Sequence, residues 1–298
     1  MKIATRVGGN TKKRWIIDDE LKNWVIKVFR RENTSLLRGL YSSTSGMNVQ
    51  QAKIESIANN LANATTPGYK KESIQTQSFP ELLLLRQGGP KQMARNIPLN
   101  EPAAIGSISM GVRITGVAID HAQGAGVETG KATDIMLKGP GFLAVNVPVE
   151  GDPDRVCYTR NGELSVDGEG FLTTVNGYRV LGQGGPIRVG GNDFQIASDG
   201  TVYQNNLAVG RLRLVEFDDV NGLRKEGDGI FVNAQNVGMN EAANTTVWQG
   251  WLEVSNVNVN EEMVSLVSVL RSYEANQKLI QVYDEQLSKT VNEVGRIR

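Results

Sequence analysis

Two stretches, one toward each end of the chain, repeat a mostly apolar residue every seventh position, and no other feature limits the fold as strongly. In the first, Leu40, Met47, Ile54 and Leu61 keep that spacing, with Leu37, Thr44, Gln51 and Ala58 interleaved. In the second, Val259, Leu266, Tyr273, Ile280, Leu287 and Val294 keep it, with Met263, Leu270, Gln277, Asp284 and Val291 as the companion set. Alternating steps of three and four hold side chains on one stripe of an α-helix, and a stripe sustained over several heptads marks a coiled-coil seam. The pattern predicts a helix over residues 36–63 and a longer one over 260–294, the latter a rod of about 50 Å. A lone helix has nothing to bury such a seam against. The two must pair with each other or with further copies of the chain. The interface residues expected on that ground are Leu37, Leu40, Met47, Ile54 and Leu61, and then Val259, Met263, Leu266, Leu270, Tyr273, Ile280 and Leu287.

The helix ends carry their own signals. The first helix stops at Thr65-Thr66-Pro67-Gly68. Pro67 has no amide hydrogen and Gly68 tolerates positive φ, so this pair is read as a structural turn. Asn258 or Asn260 is placed to cap the second helix, with Glu261-Glu262 in its first turn, where acids suit the helix dipole. Both ends are rich in amides, which are poor helix formers. Asn59, Asn60 and Asn63 on one side, and Asn256 and Asn258 on the other, are expected to hydrogen-bond between packed subunits.

Between the helices the period changes. Asn-Gly or Asp-Gly pairs stand at 161–162, 167–168, 176–177, 199–200, 221–222 and 228–229, each a hairpin or tight-turn signal when apolar runs flank it. The runs are Val112–Ile119, Ile135–Leu137, Phe142–Val147, Val156–Arg160, Tyr178–Leu181 and Val209–Phe217. They predict a compact all-β domain over 110–247. Residues 70–109 hold Pro80, Gly88-Gly89-Pro90, Pro98 and Pro102 and read as an extended linker with little regular structure. The run Leu82–Leu85 is expected to pack that linker. The fold class is therefore α+β and multidomain: a segment 1–35, an N-terminal axial helix and motif over 36–69, the linker, the all-β domain, and a C-terminal coiled-coil helix within 248–298.

Composition narrows the chemistry. The chain has one His and one Cys, so a disulfide framework, a Cys-ligated zinc site and a paired-histidine metal site are excluded. His121 beside Asp120 has no serine elbow to serve, and Cys157 in a β run reads as a small core residue. The stretch Gly126–Thr133 fails the phosphate-loop pattern at Ala125 and Ala132, and the Asp-rich turns near residues 152 and 167 miss the calcium-loop spacing. No cofactor, metal or catalytic residue is expected. Lys+Arg and Asp+Glu both number 32, but residues 1–35 carry nine basic residues against four acidic. Such an arm suits nucleic acid or membrane, and a two-carboxylate glycan-cleaving β-domain is the other rival. Neither rival accounts for the two heptad helices. No apolar run is long enough to span a membrane.

The residues also carry a resemblance. Asn59-Asn60-Leu61-Ala62-Asn63-Ala64-Thr65-Thr66-Pro67-Gly68-Tyr69-Lys70 resembles the N-terminal signature of bacterial flagellar rod and hook proteins. Ser255-Asn256-Val257-Asn258-Val259 and Arg271-Ser272-Tyr273-Glu274-Ala275-Asn276 resemble the C-terminal one. Gly141-Phe142, Tyr158-Thr159-Arg160-Asn161-Gly162 and Asp199-Gly200-Thr201-Val202 look like the β-domain of distal rod members. The likeness spans about residues 36–297. It implies a structural subunit without enzymatic activity, which leaves the cytoplasm through the flagellar type III exporter and stacks helically in the basal body. Partners would be copies of itself, other rod and hook proteins and the export apparatus, with no nucleic acid and no direct membrane span. Members of that family begin near the position of Leu36, and Arg30-Arg31-Glu32 is what a ribosome-binding site read in frame would encode. Residues 1–35 are therefore expected to be an over-called gene start.

Overall fold

A computed structural model describes residues 19–86, 103–149, 151, 155–191 and 193–295. It opens on a helix, α1, running Asp19–Ala62 over 44 residues. The sequence placed this helix at 36–63; it begins earlier, because neither Gly nor Pro interrupts the ladder between Asp19 and Arg38. At the other end α2 runs Val259–Gly295 over 37 residues. Asn258 caps it: its Oδ1 accepts the Asn260 N–H at 3.1 Å, and Glu261 and Glu262 stand in the first turn.

The chain divides into two compact units. The first holds the early part of α1, residues 78–111 and the end of α2. Here the two helices pack together through glycines. A Cβ at Gly39 would run into the Tyr283 ring, and one at Gly46 would come 3.1 Å from the Asn276 amide. Those contacts step seven residues up α1 and seven down α2, so the helices are antiparallel. The strand Leu82–Arg86 pairs antiparallel with Ala103–Ile108, with a register shift between Leu84 and Leu85.

The second unit holds residues 47–77 and 112–275. The strand Glu72–Ser78 pairs there with Val112–Ile119. Regular strands thus occupy ground the sequence assigned to an extended linker with little regular structure. Pro80 falls between the ends of two strands, so it punctuates them without removing a ladder hydrogen bond. Most of the unit is an antiparallel network whose central path runs Leu223–Lys225, Ile230–Asn233, Val156–Thr159, Phe142–Asn146, Arg179–Gly182, Leu172–Thr174, Leu164–Val166. The run expected over Val209–Phe217 is two strands, Leu207–Arg211 and Leu214–Phe217, because the chain changes sheets between them. The strands Thr246–Gln249 and Trp251–Glu253 carry the β region past residue 247 by pairing back to Ile135–Lys138 and Gly126–Glu128.

Period-two alternation explains the core. Along Phe142–Asn146, Phe142 and Ala144 enter one cluster with Tyr158, Leu181 and Phe231, while Leu143 and Val145 enter a larger one with Cys157, Leu164, Leu172 and Val180. A strand covered on both faces needs an unbroken apolar run rather than alternation. The smaller cluster is aromatic, with Phe142–Phe231 centroids 5.5 Å apart and Tyr158–Phe217 centroids 4.8 Å apart, both T-shaped. At the turn before Ile230, Gly227, Asp228 and Gly229 all take positive φ (89°, 47° and 70°), the backbone an Asp-Gly pair signals.

Candidate assembly site

The turn after α1 is where the N-terminal motif meets the β-domain. Gly68 has φ of +68°, and a Cβ there would overlap the Arg160–Asn161 peptide. The Gly68 N–H donates to the Glu253 carbonyl at 2.8 Å. The close approach delivers Lys70 into the interior. Its Nζ lies 2.5 Å from Glu253 Oε1, both side chains 1% exposed, and also donates to the Ala122 carbonyl at 2.8 Å. Arg160 reaches the other carboxylate oxygen at 3.4 Å and donates to the Gly139 carbonyl at 2.6 Å. Its guanidinium lies 5.0 Å from the Phe142 ring centroid. Burial pulls Lys70 below the ordinary lysine value, and the neighbouring Glu253 charge opposes that pull. Two buried cations therefore depend on one carboxylate, an arrangement that is expensive to break from either side.

The amides work inside the chain. Asn60, 1% exposed, donates through Nδ2 to the Glu72 carbonyl at 2.8 Å, and its Oδ1 accepts the Glu72 N–H at 2.9 Å. Its Oδ1 also accepts the Tyr69 hydroxyl, and its Nδ2 reaches Glu262. Asn256 Oδ1 accepts the Lys71 N–H at 2.8 Å, while its Nδ2 donates to the Asp120 and Ala122 carbonyls. A side-chain amide offers one donor group and one acceptor, as a peptide does, so each completes a strand edge. Asn60 and Asn256, expected from the sequence to bond between subunits, thus have partners for both ends of their amides within the chain. Asn63 donates to the Asn59 carbonyl within the last turn of α1, and Asn258 is a cap. Lys71 pairs with the buried Glu262 at 2.6 Å. Burial and the nearby Glu72 and Glu262 charges push Tyr69 up to about 12.

The heptad positions divide. Leu40, Met47, Ile54 and Leu61 are half-buried on α1, and Leu37 lies outside the residues whose side chains are described. On α2 the inward stripe is Glu262, Leu266, Val269, Tyr273, Asn276, Ile280, Tyr283 and Leu287. Of the positions picked out by spacing, Leu266, Tyr273, Ile280 and Leu287 lie on this stripe. Met263 and Leu270 do not, nor does Val259: they are exposed, together with Val264 (72%) and Val267. The companion stripe is shifted by one residue because α2 is apolar on two faces, and periodicity alone does not say which face meets α1. Sequence reasoning also did not single out Glu253 or Arg160 as site residues. Glu253 lies 183 positions from Lys70, and an isolated acid in a strand carries no local signal. Among the described residues there is no cluster of metal-ligating side chains, and no helix is long and apolar enough to cross a membrane.

Three family descriptions match the chain in order. "Flagella basal body rod protein" covers residues 40–70, "Flagellar hook protein FlgE/F/G D1 domain" covers 136–204, and "Flagellar basal body rod FlgEFG protein C-terminal" covers 249–293. The first and last contain the two halves of the buried junction. The chain is 31% identical to the flagellar hook-basal body complex protein FlhO of Bacillus subtilis, over 88% of this chain and 100% of that protein. It is 30% identical to the flagellar basal-body rod protein FlgG of Buchnera aphidicola subsp. Schizaphis graminum, over 85% and 98%. It is also 30% identical to the rod protein FlgF of Caulobacter vibrioides, over 87% and 98%. With its end motifs locked together across the β-domain and these matches along its length, the chain belongs to the flagellar basal-body rod protein family.

Proposed function

We infer that this chain is a structural subunit of the flagellar basal-body rod and that its work is association, not catalysis. The observation that carries the reading is the second apolar face of α2. One stripe is turned inward within the chain, while Met263, Val264, Val267 and Leu270 stand exposed, followed farther along by Leu279, Val282 and Val291. A contiguous apolar surface of this kind marks an interaction site. In the reading proposed here, α1 and α2 form the coiled-coil core of the subunit, and the outward stripe packs on neighbouring copies and other rod or hook subunits. Repetition of that contact builds a helical shaft from the motor toward the hook, and the subunit reaches its place through the flagellar export apparatus. The buried junction supports this role by tying both helix ends to one β-domain.

The test is complementation of a deletion strain, followed by peptide mass spectrometry of purified basal bodies. Wild-type chain should be recovered in the basal bodies. Val264→Asp and Val267→Asp variants should accumulate as folded protein yet be missing from basal bodies, with motility lost. Functional rods built from either variant would overturn the assignment of the outward stripe. Absence of the wild-type chain from basal bodies would overturn the functional reading itself.

A further inference from the structure

The short segment Asp120–Ala122 crosses the junction, and both neighbours of His121 are docking points. The Asp120 N–H donates to the Lys71 carbonyl at 2.8 Å, and the Asp120 carbonyl accepts Asn256 Nδ2 at 2.8 Å. The Ala122 carbonyl accepts Lys70 Nζ at 2.8 Å and Asn256 Nδ2 at 3.2 Å. Between them His121, the chain's single histidine, turns its ring against Phe142 (centroids 5.9 Å apart) and Phe231 (5.6 Å). Its Nδ1 is buried and has no hydrogen-bond partner among the described residues. The charged groups acting on the ring are Lys70 and Arg160 from the elements packed against it and Asp120 from its own segment. Glu253, the acid nearest the two cations, is already engaged by both.

A neutral imidazole fits this seat with one unmet polar atom. An imidazolium does not, because burial removes its hydration and two cations repel it. We propose that His121 is an acid-sensitive latch on the junction: when neutral it keeps Asp120–Ala122 in place, and when protonated it leaves the Phe142–Phe231 seat and releases the docking points of Lys70, Lys71 and Asn256. Burial first, and then the Lys70 and Arg160 charges, hold its pKa down to about 4. The latch is closed at neutral pH. Opening grows as pH falls below the ordinary histidine value and is complete once it passes the buried one. The device loosens both end motifs from the β-domain while the two core clusters, which contain no titrating side chain at that pH, stay folded.

The experiment uses the full-length chain. A single histidine gives an unambiguous imidazole resonance, so its titration is read by NMR. Amide hydrogen exchange is followed in parallel at Gly68, Lys71 and Asp120, whose N–H groups bond within the junction, and at Ala144 and Leu172, whose N–H groups bond within the β-domain. The imidazole should titrate far below the usual histidine midpoint. Corrected for intrinsic rates, opening at the junction amides should rise about fiftyfold from pH 7 to pH 4.5, the ratio that a drop from 6.5 to 4 implies. The β-domain amides should not follow. His121→Phe, which keeps an aromatic ring in the seat, should leave the junction amides flat over that range. An ordinary histidine midpoint overturns the latch. So does a His121→Phe protein that opens at the same pH as wild type, since the group responsible would then not be His121. Should His121→Phe fail to fold, junction opening in the wild type that does not track the imidazole titration overturns it equally.

Discussion

The β-domain and the hairpin of the first unit are built from similar strands, yet one is closed and the other open. The strand Phe142–Asn146 has a core on each face, and four of its five side chains are buried. In the hairpin of Leu82–Arg86 with Ala103–Ile108, Leu82 and Leu83 are exposed, the latter by 63%. The difference is one of supply. The β-domain folds enough strands over one another to cover its own apolar faces, whereas a two-stranded hairpin has only itself, and such hairpins are marginal in water without further packing. The same contrast divides α2, with a stripe turned inward and a stripe left for others. On the function proposed above, one part of the subunit is complete in itself and another stays incomplete until neighbours arrive.

Substitutions sharpen this contrast by their size. Glu253→Ala leaves Lys70 and Arg160 buried with no carboxylate, and stability to denaturant should fall by about 3–5 kcal/mol. If it fell by less than half of that, the junction would not be holding the second unit together. Leu143→Ala, in the larger core, should lower stability by about 2–5 kcal/mol in the same measurement. Gly68→Ala forces a side chain into positive φ and against the Arg160 peptide, and about 1–3 kcal/mol is expected from strain of this kind. In thermal unfolding its effect should fall below that of Glu253→Ala. Acid should produce a further loss. His121 has a lowered folded pKa, so the unfolded chain binds more protons below pH 6.5, and its contribution to stability, whole above that value, declines as pH falls toward about 4. Denaturation midpoints at pH 7 and pH 5 should differ more in wild type than in His121→Phe. Smallest of all, Leu83→Ser and Val264→Asp should change monomer stability by no more than about 0.5 kcal/mol. A large effect from either would mean that these faces are already covered within the chain and would remove the contrast between closed and open regions.

The heptads, the turn signals and the unbroken apolar run at Phe142–Val145 were legible because they depend on local periodicity and on backbone chemistry that neighbouring residues carry. Lys70 lay within the N-terminal motif, but its partner did not announce itself. The strand Glu72–Ser78 was obscured by the prolines near it, which forbid strand hydrogen bonds only at their own positions. The roles of Asn60 and Asn256 were also out of reach, since an amide rich in donors and acceptors fits an interface between chains and a strand edge within one equally well.

By itself the sequence determined that this protein has two long helices and a β-domain punctuated by tight turns. Spacing along one chain sets those, because hydrogen-bond geometry repeats every few residues. Tertiary structure alone decided which face of α2 turns toward α1, and that Glu253 closes over Lys70 and Arg160. It also set His121 between two aromatic rings and two cations. Those outcomes depend on residues far apart in the chain meeting at distances of a few ångströms, where burial strengthens charge and removes water, and no local pattern encodes such a meeting.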